Sequence, residues 1–354
     1  MADFATPQAG SCHQPLVDVD QVRACVADQT LRDAPLGRVG LELEGHLVDR
    51  RSIGRRVGWD EVRDLVDRVG DRLARSRLSV EPGGQLELST LPAPGLEAAV
   101  TALIEDERIL GEVLRERGYG LAFLGLDPAR SPARVNPSAR YREMERYFDR
   151  SGCGSVGRLI MVCSAGLQLN LDAGPRAGWS DRLDRLDRLA PVLMALSACS
   201  PLSAGGPSGW ASMRQQAWWE IDPPRTAAVT FGGDPGRAWA DYALAAPVML
   251  VAEVSAGPDD APSASKRLVS PERTVSFADW VRHPSWLGRP PTFDDLSYHL
   301  TTLFPPVRPR GYLELRFLDA VPVGWWPGLA AIVGTLLDDP GTYDAVDTLL
   351  DGSS

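Results

Sequence analysis

Residues 81–90 read Glu81-Pro82-Gly83-Gly84-Gln85-Leu86-Glu87-Leu88-Ser89-Thr90, and the fold follows from how this stretch alternates. Proline fixes φ where a turn begins and glycine takes φ > 0 at little cost, so Pro82-Gly83-Gly84 reads as a turn. The chain on either side reads as extended. Gln85, Glu87 and Ser89 then alternate with Leu86 and Leu88. Successive side chains of a strand point to opposite faces, so the leucines face a core and the polar residues share one surface.

The same alternation recurs at three distant places. Glu42 and Glu44 alternate with Val39, Leu41 and Leu43. Gln168, Asn170 and Asp172 oppose Leu167, Leu169 and Leu171. Tyr312, Glu314 and Arg316 oppose Leu313, Leu315 and Phe317. Paired in one sheet, these segments give one aliphatic face and one that gathers Glu42, Glu44, Glu87, Asp172 and Glu314, with Glu81 at the turn. Carboxylates that close repel one another unless a cation sits among them. An oxygen-rich cluster of this kind suits Mg²⁺ or Mn²⁺, hard ions that accept carboxylates and substrate phosphates. A solvated face explains any one strand as well, since half-buried antiparallel strands alternate anyway. Two features count against it for the set. Wet faces mix Lys with Glu, whereas Lys266 is the only lysine in the chain, and the run from Gln168 to Asp172 is rich in amides.

The 354 residues suffice for a large core, and 44% hydrophobic with 24% charged residues is globular composition. A net charge of −10 disfavours a nucleic-acid partner, which needs a basic patch. The apolar runs are too short to span a bilayer, so no membrane partner is expected. Five cysteines without CxxC, and no signal peptide at the N-terminus, read as a cytoplasmic chain with reduced thiols. The four histidines lack zinc spacing, and His46 reads as a strand-end residue rather than a ligand. There is no Walker A loop and no GxGxxG, so any nucleotide phosphates must be held by metal and arginine.

Along the chain, residues 1–18 read as a flexible tail and 19–354 as a single domain. Apolar stripes predict helices over 19–32, 60–75, from Pro94 to Gly118, after Asn136-Pro137, from Ser180, over 294–304, over 326–337 and over 343–350. Ser151 to Gly157 reads as a glycine-containing loop, Pro201 to Ser208 as a mobile loop and candidate lid, and 257–270 as a disordered surface loop. Arg140 and Tyr141, at a helix entrance, either hold an anion or leave Arg140 solvated and Tyr141 packed. The segment Arg214 to Arg225 is either a helix end with buried indoles or a substrate wall in which Arg214 and Arg225, beside Trp218, grip carboxylate or phosphate.

In order, GLELE, EPGGQLELS, NPSARY, GLQLNLD, the R…W…D..R segment and YLELRFLD resemble the glutamate–cysteine ligases of the plant and bacterial type. HLTTLFPPVRPRGYLELRFLD is most similar to the actinobacterial branch that makes γ-glutamylcysteine for ergothioneine. The resemblance covers roughly residues 30–340. It implies an α+β fold like the catalytic domain of glutamine synthetase and the guanidino kinases: a curved, mostly antiparallel sheet with helices on one face. It implies ATP and Mg²⁺ (or Mn²⁺), with glutamate, cysteine and ATP as the small-molecule substrates. By motif it makes Glu42, Glu44, Glu81, Glu87, Gln168 and Glu314 metal ligands and Arg316, with Glu314, catalytic. It further assigns Arg316 and Asn170 to the nucleotide, and Arg140, Tyr141, Arg214, Trp218 and Arg225 to substrate. Two departures stand out: relatives continue with a further helical segment where this chain reads to Ser354, and Arg158 to Ser164 replaces a Met-Met and small-hydroxyl stretch. Two rival functions remain, a carboxylate–amine ligase with another acceptor and a nucleotide-binding pseudoenzyme. Removing Glu87 or Glu314 is expected to abolish turnover and leave the fold intact or more stable.

Overall fold

The structure is a computed structural model that describes residues 14–253 and 267–351. The chain enters through α1 (Val19–Gln29), whose first backbone N–H groups are capped by the Asp18 carboxylate. Before it, Leu16 is buried and its N–H donates to Pro291 O at 2.8 Å, so residues near 16 are packed rather than a loose tail. Residues 1–13 lie outside the described residues.

The long strand β1 (Arg38–Asp49) follows and becomes the middle of the main sheet. Helix α2 (Trp59–Val69) leads to the hairpin of β2 (Ser76–Val80) and β3 (Leu86–Thr90), joined by the Glu81–Gln85 turn. After the short β4 (Ala93–Pro94) come α3 (Leu96–Glu116) and β5 (Tyr119–Ala122), both strands pairing on β1. Then α4 (Ala139–Arg150) and α5 (Gly154–Cys163) feed β6 (Gly166–Asp172). The stretch expected as a loop at 151–157 is therefore half helix. Its three glycines read as loop, but Gly157 is glycine because a Cβ there would stand 2.5 Å from the Phe148 ring, a packing reason rather than a loop reason.

Helix α6 (Trp179–Ser197) is followed by a small hairpin, β7 (Leu202–Ser203) with β8 (Gly206–Pro207), where a mobile loop was expected. Helices α7 (Met213–Glu220), α8 (Pro223–Thr226) and α9 (Pro235–Ala245) come next. Strands β9 (Val251–Glu253) and β10 (Arg267–Val269) pair with each other, so the end of the segment read as a surface loop is a strand, and 257–266 lie outside the described residues. Helices α10 (Phe277–Arg282) and α11 (Phe293–Leu300) precede β11 (Val307–Pro309) and β12 (Tyr312–Asp319), and α12 (Trp326–Asp338) and α13 (Pro340–Asp351) close the described chain.

The main sheet runs β11-β12-β6-β1-β3-β2 and every neighbouring pair is antiparallel. This bears out the expected α+β class. One face is the leucine set: Leu41, Leu43, Leu86, Leu88, Leu167, Leu169, Leu171, Leu313 and Leu315 are all buried. Helices α3, α6 and α12 pack over it. Each buried leucine contributes about 1.5–3 kcal/mol, so register is strongly specified: a one-residue slip would turn the leucines outward. A second, smaller core of α4, α5 and α7 side chains stands beside the other face.

Candidate active site

The register brings the expected residues into three rows. Across β2, β3 and β1, Ser79 faces Glu87 and Glu87 faces Glu44. Across β3, β1 and β6, Ser89 faces Glu42 and Glu42 faces Gln168. Across β1, β6, β12 and β11, Gly40 faces Asn170, Asn170 faces Glu314, and Glu314 faces Arg308. Opposed residues have Cα atoms about 4.5–5.5 Å apart, so Glu44 and Glu87 repel directly. Asp172 shares the face but lies at its far end opposite Tyr312, where its carboxylate accepts from Arg38 N at 2.8 Å.

The row is partly neutralised by hydrogen bonds. Glu44 accepts from Gly166 N at 2.7 Å and from Gln168 Nε2 at 3.2 Å. Glu42 accepts from Asn170 Nδ2 at 3.0 Å. Glu87 accepts from Ser89 Oγ at 2.7 Å and Ser79 Oγ at 3.0 Å. These carboxylates are half-buried: they keep some water contact but are surrounded by protein on most sides. Burial, then the charges of Glu87 and Glu314, push Glu42 up to about 7. Burial is also the leading cause for Glu81, raised well above the usual range with Glu87 and Glu44 adding to it. Glu44 and Glu87 are raised for the same reason, Arg214 and Arg316 pulling Glu44 back.

Glu314 behaves differently. Burial would raise it, but Arg308, Arg316 and Arg310 outweigh burial and hold it to about 2. Arg308 forks onto it through Nε and Nη2, the latter at 2.9 Å, and Arg316 Nη1 lies at 3.3 Å. Both oxygens of Glu314 are engaged, so its removal would strand buried guanidinium groups. The expectation that its loss leaves the fold intact or stabilised is corrected on this ground. Arg308 was missed in the sequence because Pro305, Pro306 and Pro309 hide a strand. The signal was Arg310-Gly311, a hairpin turn with Gly311 at φ +79°, which sets Arg308 across from Glu314.

Of the substrate residues expected, Tyr141 lies near the acidic turn: burial and then the Glu81 charge raise its hydroxyl pKa. Arg140 stacks over the Tyr298 ring at 5.1 Å. Trp218 packs on Phe304 with its Nε1 unpartnered, and Arg316 lies 5.8 Å from the same Phe304 ring. Arg214 is buried beside Gly166, donating to Arg316 O at 3.0 Å. Arg225 contradicts its expected role. It is 0% exposed, and its five N–H donors are spent on Asp222, Thr302 O, Thr302 Oγ1, Tyr147 Oη and Pro247 O. A guanidinium with every donor taken inside the protein is a structural tie, not a substrate contact.

The acidic turn itself is seated from below. Gln85 is buried, its Oε1 accepting from Gly83 N at 2.9 Å and its Nε2 donating to Ser164 O at 2.8 Å. Gly83 has no room for a side chain, since a Cβ would stand 2.0 Å from Val162 O. His46 is a buried strand residue with Nε2 against Leu124 O at 3.0 Å, as expected no part of the acidic row.

Whether the donor set fits a divalent cation turns on two observations. Asn170 Oδ1 is a buried acceptor without a partner, next to Glu42. Glu42, Glu44, Glu81 and Glu87 are hard oxygen donors raised by burial and mutual repulsion, the state a cation relieves. By donor chemistry, though not by present placement, the residues therefore fit. Among the described residues no group of three or more acidic, histidine or cysteine side chains is placed so that it could hold a metal ion.

Comparison with known proteins shows the family. The profile of Glutamate-cysteine ligase family 2 (GCS2) matches residues 38–353. The chain is 45% identical over 338 residues to Glutamate--cysteine ligase EgtA of Mycobacterium tuberculosis, covering 94% of this chain and 76% of that protein. It is 30% identical over 310 residues to the chloroplastic glutamate--cysteine ligase of Medicago truncatula, covering 84% and 58%. Among solved structures, a bifunctional glutathione synthetase from Pasteurella multocida superposes with a TM-score of 0.48 at 14% identity, covering 92% of this chain and 40% of that one.

Proposed function

The chain belongs to glutamate–cysteine ligase family 2, and from that premise we propose that it joins the γ-carboxylate of glutamate to the amine of cysteine with ATP, giving γ-glutamylcysteine. The observation that carries this reading is the set of rows bringing Glu42, Glu44 and Glu87 onto one face with Gln168, Asn170 and Arg316. The likeness of residues 299–319 to the ergothioneine branch supports that biosynthesis as the product's route. A cytoplasmic setting belongs to the same proposal; among the described residues no helix is long and apolar enough to cross a membrane.

The chemistry has two displacements. A γ-carboxylate oxygen of glutamate attacks the γ-phosphorus of ATP; the bond to the bridging oxygen breaks and ADP leaves. The cysteine amine then attacks the acyl carbon, inorganic phosphate departs, and the nitrogen loses a proton. The first step brings two anions together, so its barrier is electrostatic. Glu42, Glu44, Glu81, Glu87, Gln168 and Asn170 would hold Mg²⁺, which when bound supplies charge neutralisation at the phosphates. Arg316, already tied to Gln168 Oε1 at 2.7 Å, presents a guanidinium aimed along the row. Tyr141, Arg140 and Trp218 form the wall against which substrate is oriented. Glu314 fixes Arg308 and Arg316 and reaches a cation only by releasing an oxygen.

The test is purified protein with glutamate, cysteine and MgATP. ADP release that requires cysteine, with γ-glutamylcysteine as product, is the expected result. Release with another amine but not cysteine, or nucleotide binding without turnover by folded protein, overturns it.

A further inference from the structure

We propose that Gln215, with Arg214 beside it, is a positioning residue that aims Arg316 at the carboxylate row through the backbone of β12. The inference rests on the ligase reading above. Strand β12 pairs regularly with β6 from Tyr312↔Asp172 to Leu315↔Leu169, then resumes at Leu318↔Leu167 and Asp319↔Gly166. Two residues, Arg316 and Phe317, therefore stand opposite the single Gln168. This is a β-bulge, a device that re-aims a side chain and shifts alternation by one. The shift is visible in the two pairs beyond it. Leu318 pairs with Leu167 and joins the aliphatic face, and Asp319 returns to the polar side opposite Gly166. With uninterrupted alternation Leu318 would share the face of Glu314 and Arg316.

The carbonyls of the two bulged residues are held by consecutive side chains of α7. Arg214 Nη2 donates to Arg316 O at 3.0 Å, and Gln215 Nε2 donates to Phe317 O. Both side chains are buried. The start of α7 is pinned to the resumed strand as well. Ser212 Oγ accepts from Gln215 N at 3.1 Å and donates to Asp319 Oδ1 at 3.0 Å, and Asp319 Oδ2 also accepts from Ser200 Oγ at 2.8 Å and Cys199 N at 3.0 Å. Gly166 completes the fit, for a Cβ there would stand 2.7 Å from Arg214 Nη2. The outcome is an Arg316 guanidinium held on Gln168 Oε1 at 2.7 Å and near Glu314, beside the row that carries Glu42. Gln215 touches none of these carboxylates and acts only through the bulge.

Gln215→Met keeps the volume and removes the donor. Its kcat/KM for MgATP is expected to fall about tenfold or more. In an Arg316→Lys background the same change is expected to cost no more than about twofold. An Arg316 guanidinium unmoved from Gln168 in a crystal structure of the variant, or an equal loss in both backgrounds, overturns the proposal. Should Gln215→Met not fold, Gln215→Asn, which keeps the amide but falls short of the carbonyl, is read the same way. If the unaltered protein releases no ADP with glutamate and cysteine, the ligase reading fails on its own. The clamp is then judged by a crystal structure of the variant: Arg316 Nη1 displaced from Gln168 supports it, and an unmoved Arg316 overturns it.

Discussion

Glu42 and Glu314 stand two strands apart on the same face with opposite electrostatics, because their neighbours differ. Glu42 has other carboxylates and an amide for company, and Glu314 has three arginines. Charge type alone therefore does not define a role; the partner does. Glu314→Ala removes one side of a buried network, and unpaired Arg308 is expected to cost about 3–5 kcal/mol of stability. Thermal or denaturant unfolding checks this. Unchanged or raised stability would mean that Arg308 finds water or another acceptor, and that the fork onto Glu314 is dispensable. Sequence reading identified Glu314 but could not reveal its partner, since Arg308 lies across a turn in a proline-flanked segment with no alternation to read.

The element that sets the site is the Glu81–Gln85 turn. Its position depends on α5, whose last turn meets it through Val162 O and Ser164 O. Gly83→Ala would drive a methyl into the Val162 carbonyl, and backbone cannot step aside as a flexible side chain does. A destabilisation of about 1–3 kcal/mol is expected, with a loss of turnover beyond what the unfolded fraction explains. Wild-type turnover and stability would show that the turn has slack. The strands that build the acidic face were legible because leucine alternation at 39–44, 86–88, 167–171 and 313–315 has one period and one partner set. The acidic rows followed from that parity. The bulge in β12 left only a faint mark, the successive apolar pair Phe317-Leu318, and pairing with β6 is what shows the extra residue. Arg225 misled for the related reason that a buried tie and a substrate grip use the same side chain.

For the molecule as a whole, the buried acids make stability depend on pH. Glu42 titrates near 7 in the fold against its ordinary 4.5. Between those values the folded chain keeps a proton that the unfolded chain has lost, so stability falls as pH rises through this window and levels off above it. Glu314, held to about 2, has the opposite sign: its contribution is present above 4.5 and is lost as pH falls towards 2. Metal-free protein is therefore expected to melt lower at pH 8 than at pH 5.5, by about 2–5 °C, and Mg²⁺ should raise Tm more at pH 8. A Tm that rises over this interval, or a Mg²⁺ effect larger at the acid end, contradicts the assignment. The most direct measurement is anomalous scattering from crystals grown with Mn²⁺ and a non-hydrolysable ATP analogue. Manganese is expected on the face of β1 and β3, within bonding reach of at least two of Glu42, Glu44, Glu81 and Glu87, with the analogue's phosphates against it. Bound nucleotide with manganese elsewhere, or with none on that face, would contradict the account.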